Sequence, residues 1–148
     1  MATQEQKTVA FVLYPGLTLL DLAGPLQVFA SLRQFNDQYR PVLVAERLEP
    51  MATDGPLTVI ADHTFADVPD PAVVIVPGGG APTIKAMGAT YLPKRWVEDG
   101  KFITSAGVSA GIDMALALVA RLTDEPMLGP MVQQQLADRH ELLAKLSG

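Results

Sequence analysis

Thr8–Tyr14 reads TVAFVLY and stops at Pro15-Gly16. The run is rich in β-branched and aromatic residues, and apolar residues do not alternate with polar ones. A strand with one wet face would alternate, so this one reads as covered on both faces, as in the middle of a parallel sheet. Leu17–Phe35 follows, with Leu22, Leu26, Phe29 and Ala30 spaced for one face of a helix. Arg40–Ala45 (RPVLVA) reads as the next strand. Strand, helix and strand at these lengths make a crossover unit.

Further along, Glu46–Asp70 is less regular. Asp54-Gly55 marks a turn, and Leu57–Ala61 (LTVIA) is a short strand after it. Ala72–Val76 (AVVIV) is another apolar strand, broken by Pro77-Gly78-Gly79-Gly80. Arg95–Val97, the turn Glu98-Asp99-Gly100 and Lys101–Thr104 read as a hairpin, which Trp96 is expected to cover. Ile112–Leu122 is a helix that is apolar nearly all round. Gly129-Pro130 opens an amphipathic helix through Leu146, with Val132, Leu136, Leu143 and Leu146 as its buried stripe. Buried strands alternating with helices predict an α/β sandwich with a mostly parallel sheet.

The chain has 148 residues, which predicts one domain over 1–148. Hydrophobic residues make up 49%, enough for a sizeable core. Lys and Arg number 11 against 16 Asp and Glu, a net charge of −5. That balance argues against a nucleic-acid surface, which needs clustered cations. The absence of cysteine excludes disulfides and cysteine-nucleophile chemistry within these residues, and fits a cytoplasmic protein. No stretch is apolar for long enough to span a membrane. No cofactor motif is present: neither a Gly-Lys-Ser/Thr phosphate loop nor G-x-G-x-x-G occurs. His63 and His140 are isolated, and no metal site is expected. Asp62-His63 reads as a surface pair on a strand.

In parallel sheets the ligand site lies beyond the C-terminal strand ends. Here those are Tyr14-Pro15-Gly16, Pro77–Gly80 and Ser105–Gly107. Asp21 lies just past the first of them, where a carboxylate among Leu19, Leu20 and Leu22 can shuttle a proton. Equally, Thr18-x-x-Asp21 has the spacing of a capping box that closes a helix start. Gly78 and Gly79 can bring backbone N–H groups to a developing oxyanion, or can be a plain turn. Gly107-Val108-Ser109-Ala110-Gly111 matches G-x-S-x-G in a strand–turn–helix context. Against a Ser109 nucleophile, His140 is the only later histidine and falls on the polar face of the last helix. The alternative is a helix N-terminus at Ser105, Gly107 and Ser109, with Ser109 as the cap and amides able to meet an anion.

Three segments together resemble the ThiJ/PfpI family, in its branch of isonitrile hydratases and AraC-type regulator ligand domains. They are Phe11–Phe29 (FVLYPGLTLLDLAGPLQVF), Val73–Gly80 (VVIVPGGG) and Trp96–Leu122 (WVEDGKFITSAGVSAGIDMALALVARL). D-L-x-G-P at Asp21–Pro25 and T-S-A-G-V-S-A-G-I-D at Thr104–Asp113 carry most of the likeness. The resemblance implies a flavodoxin-like three-layer sandwich, commonly dimeric. It matches Asp21 to the family's acid beside the nucleophile, which in isonitrile hydratases takes part in adding water to give an N-substituted formamide. It matches Gly78 and Gly79 to the glycines of the oxyanion pocket, and Ser109 to a position that is not the nucleophile.

One departure outweighs the matches. The family places a helix, a strand ending in the cysteine nucleophile and a histidine segment between the P-G-G strand and the hairpin. Here only Ala81–Lys94 (APTIKAMGATYLPK) joins them, so the nucleophile strand has no counterpart. The sheet is then expected to pair with a second copy, a homodimer with exchanged elements among its forms. Three functions follow as expectations. The first is a degenerate small-molecule-binding domain, non-catalytic or weakly active. The second is an isonitrile hydratase-type lyase using Asp21 as general acid and base. The third is a serine hydrolase using Ser109.

Overall fold

The computed structural model describes residues 6–79, 94–100, 102–125, 127–135 and 137. Strand β1 (Lys7–Val12) lies at the centre of a four-stranded parallel sheet. It pairs on one side with β2 (Tyr39–Ala45) in the register Lys7 to Tyr39, and on the other with β6 (Val73–Ile75) in the register Val9 to Val73. β5 (His63–Thr64) extends β2, giving the order β5-β2-β1-β6. The apolar runs thus became neighbouring parallel strands. Two small antiparallel pairs complete the strands: β3 (Met51–Ala52) with β4 (Thr58–Val59), and β7 (Trp96–Asp99) with β8 (Phe102–Ser105). The strand expected over Leu57–Ala61 is therefore only two residues long, because its partner β3 is no longer.

Helices α1 (Leu19–Leu32) and α2 (Val108–Thr123) pack together on the sheet. Period two along β1 sorts its residues. Val9 and Phe11 join the core with Val28, Phe29, Ala115 and Val119, while Ala10 forms a smaller cluster with Val42 and Val44. Phe11 and Phe29 meet edge to face, with ring centres 6.1 Å apart. Tyr39, fully buried, donates its hydroxyl to the Leu122 carbonyl at 2.5 Å and ties β2 to the last turn of α2. Residues 128–135 are helical, and Leu128 and Val132 complete the same core. Of the expected stripe, Val132 is buried as anticipated, and Leu136, Leu143 and Leu146 lie outside the described residues. Residues 80–93, which hold most of the short linker Ala81–Lys94, also lie outside the described residues.

Pro25 sits inside α1. It has no N–H to give the carbonyl four residues back, that of Asp21. Its ring finds room against Gly111 of α2, where an added Cβ would lie 3.5 Å from Pro25 Cγ.

The start of α1 is closed from outside the helix. Asp54, in the β3–β4 turn, accepts the Leu19 N–H at 3.0 Å and donates its own N–H to the Leu17 carbonyl at 2.9 Å. Thr18 occupies the cap position without a side-chain cap bond. Asp54→Ala is expected to cost about 1 kcal/mol, the usual scale of a lost cap, read as a lower midpoint in urea unfolding.

Candidate functional site

The chain leaves β1 through Tyr14-Pro15-Gly16, and Gly16 holds φ +82°. The next residues are pinned from two sides. Gly16 N–H donates to the Ala52 carbonyl at 2.8 Å, and Thr18 N–H donates to the Gly78 carbonyl at 2.7 Å. Leu17 and Gly79 form an antiparallel bridge. The start of α1 is thereby set against the end of β6, as expected of two neighbouring strand ends in a parallel sheet.

This brings Asp21, Gly78, Gly79, Gly107 and Tyr14 to one corner. A Cβ on Gly78 would collide with Asp21 Oδ2 and lie 3.5 Å from its Cγ. A Cβ on Gly107 would lie 3.9 Å from Asp21 Oδ1. The half-buried carboxylate therefore fits between two backbone segments that can come so close only because they are glycine. Gly107 is the cap residue of α2, at φ +98° and ψ 170°. The capping-box alternative for Asp21 is corrected here: Asp54 supplies the side-chain acceptor, and Asp21 packs on Gly78. A bonded pair of that spacing exists elsewhere, at Thr64-x-x-Asp67. Asp67 Oδ2 accepts from both the amide and the hydroxyl of Thr64 at 2.7 Å, and these bonds hold the Asp67 carboxyl below its ordinary value.

Tyr14 was not singled out from the sequence. Its hydroxyl donates to the Pro77 carbonyl at 2.8 Å, and a Cβ on Gly79 would come 2.7 Å from that oxygen. Burial, and secondarily the charge of Asp21, raise the phenol above its ordinary value. The signal was a hydroxyl-bearing aromatic closing an apolar strand at the ligand end of the sheet. Asp21→Asn is expected to bring the Tyr14 titration part of the way back down, leaving the larger effect of burial, as followed by carbon NMR of the ring. The raised value also has a sign for stability. Its contribution is full below the unfolded value, about pH 10, and is lost as pH rises through the folded one.

Ser109 stands apart. It is exposed in the first turn of α2, one residue past Val108, so it is not the cap. Arg95 holds it in a surface cluster: Arg95 Nη2 donates to Ser109 Oγ at 3.3 Å, and Arg95 Nε donates to Asp113 Oδ2 at 2.6 Å. Ser105 ends β8, and its Oγ would be 3.8 Å from a Cβ on Gly111. His63 is on the edge strand β5, with Nδ1 2.9 Å from Asp62 Oδ1. His140 lies outside the described residues. Nothing described places a histidine beside Ser109. Among the described residues no three acidic or histidine side chains gather as metal ligands, and no helix is long and apolar enough to cross a membrane. A cavity of about 410 Å³ beside Phe35–Gln38 and Thr123 and another of about 260 Å³ beside Arg40 and His63 both lie away from Asp21.

No family model matches the chain. The isonitrile hydratase of Pseudomonas putida is 25% identical over 166 aligned positions, covering 77% of this chain and 71% of that protein. That alignment is longer than the 148 residues here, so the relative has stretches without a counterpart. A ThiJ/PfpI family protein from Pseudomonas syringae superposes with a TM-score of 0.77 at 25% identity, over 90% of this chain and 76% of that one. DJ-1beta of Drosophila melanogaster superposes at 0.73 over 89% of this chain and 98% of its own, at 16% identity, a likeness of fold.

Proposed function

We propose that this chain, a member of the ThiJ/PfpI family in sequence and flavodoxin-like in fold, binds a small molecule at the Asp21 corner and works without covalent chemistry. The observation that carries the reading is the Asp21 carboxylate seated against Gly78 and Gly107 with Tyr14 beside it. The 148 residues contain no cysteine, so no thiolate is available to attack a substrate. The long alignment supports a shortened family member. Ser109 is spoken for by Arg95, which weighs against a serine hydrolase.

A second reading is an Asp21-dependent lyase, favoured by the likeness to isonitrile hydratase. Water adds its oxygen to the isonitrile carbon as Asp21 takes a proton from it. The carbon then takes a proton back, and the resulting imidic acid tautomerises to the N-substituted formamide. In this reading the Gly78 and Gly79 amides stabilise the charge that develops as water adds. Acid–base help of this kind is worth about two to four orders of magnitude, so slow turnover is expected. No cofactor enters the scheme. We further propose a homodimer, read by light scattering.

The test is formamide production from a panel of alkyl and aryl isonitriles, followed by NMR beside Asp21→Ala, with thermal shifts on the same panel. Turnover lost in the variant supports the lyase. Stabilisation by a panel member without turnover, lost in the variant, supports the binding domain. Turnover or binding that persists in Asp21→Ala removes Asp21 from the function.

A further inference from the structure

We infer that Tyr14 is a positioning residue: by holding the Pro77 carbonyl, its hydroxyl fixes the turn that sets Gly78 against Asp21. The inference rests on the Asp21 corner being the site. Pro77-Gly78-Gly79 is poorly equipped to hold a shape of its own. Pro77 has no N–H to donate, and two successive glycines have more backbone freedom to lose than any other pair. The turn must be held from outside, and its carbonyls are where it is held.

Two anchors meet it. Thr18 N–H takes the Gly78 carbonyl at 2.7 Å, from the start of α1, and Tyr14 takes the Pro77 carbonyl at 2.8 Å, from the end of β1. The phenol ring also occupies the space beside Gly79 that a Cβ would claim, with Cε2 3.2 Å from that position. Tyr14 thus presses on the turn sideways and pulls on it through the carbonyl. Both actions keep Gly78 under the Asp21 carboxylate. A phenol is protonated, and so a donor, through the neutral range, and burial and the Asp21 charge extend that range upward.

Tyr14→Phe keeps the ring and removes the anchor. The expected result is an unchanged circular dichroism spectrum and a local loosening. Hydrogen exchange at the Thr18 amide, bonded to the same turn, quickens by about tenfold more than at Phe11 in the sheet, and the Gly78 and Gly79 amide shifts move. Exchange that rises equally at Thr18 and Phe11, or at neither, together with unmoved Gly78 and Gly79 shifts, overturns the inference. The measurement needs no substrate, so it succeeds or fails apart from the isonitrile assay. If the wild type does turn over isonitriles, Tyr14→Phe is expected to lower kcat more than it changes KM.

Discussion

Gly107→Ala is expected to lower stability by about 1–3 kcal/mol, the cost of forcing a side chain into a backbone region that glycine nearly monopolises. At φ +98° and ψ 170° the strain arises whatever space is available. Space is in fact available, since the nearest atom to an added Cβ is Asp21 Oδ1 at 3.9 Å. The penalty falls at the point where β8 turns into α2, and α2 supplies Ala115, Leu118 and Val119 to the core. The strain can be relieved only by moving the first turn of that helix, and with it the wall beside Asp21. For a domain of this size each kcal/mol shifts the melting point by about 2–4 °C, so a drop of several degrees is expected in calorimetry. An alanine variant as stable as the wild type would show that Gly107 does not keep this conformation in solution.

Gly79→Ala is expected to cost a similar amount, about 1–3 kcal/mol, by overpacking. Here the obstacle is a neighbour. The new Cβ would lie 2.7 Å from the Tyr14 hydroxyl and 3.2–3.3 Å from two ring carbons. A phenol ring cannot bend, and this one is held by the Pro77 carbonyl. Either the ring swings away and loses that bond, or the Leu17–Gly79 bridge opens. A double-mutant cycle separates this from a general intolerance of alanine. In a Tyr14→Ala background the Gly79→Ala penalty should shrink to a few tenths of a kcal/mol. The same penalty in both backgrounds, by urea unfolding, would place the clash somewhere else.

The architecture was legible because burial on both faces writes itself into composition. TVAFVLY lacks alternation for the same reason that β1 is central: helices cover one side, and the Val42–Val44 cluster lies on the other. The hairpin of Trp96 and Ser105 was legible from Gly100, but its turn was placed too early: Glu98 and Asp99, expected in the turn, are the last residues of β7 and pair with Ile103 and Phe102. Caps were not. Thr18-x-x-Asp21 and Thr64-x-x-Asp67 share a spacing, yet only the second closes on itself. What decides between them is Asp54, far away in sequence and brought to Leu19 by the β3–β4 turn. Tyr14 escaped notice for a related reason: its partner, the Pro77 carbonyl, is a backbone group, and no residue type announces it. Asp21 and the glycines around it were legible as separate candidates. The β1–β6 register brings Gly78 and Gly79 to Asp21, and the junction of β8 with α2 adds Gly107.

The same register sets an order in time. β2 follows β1 after a single helix, so the loop that closes them is short, whereas β6 must come from far along the chain. During synthesis, the pair β1–β2 with α1 can assemble while Val73–Ile75 has yet to emerge. Through that interval one side of β1 offers unpaired backbone to any passing strand, the condition under which nascent chains associate wrongly. The three residues of β6 close that side at Val9–Phe11, and a slow stretch of translation before residue 73 would lengthen the exposure.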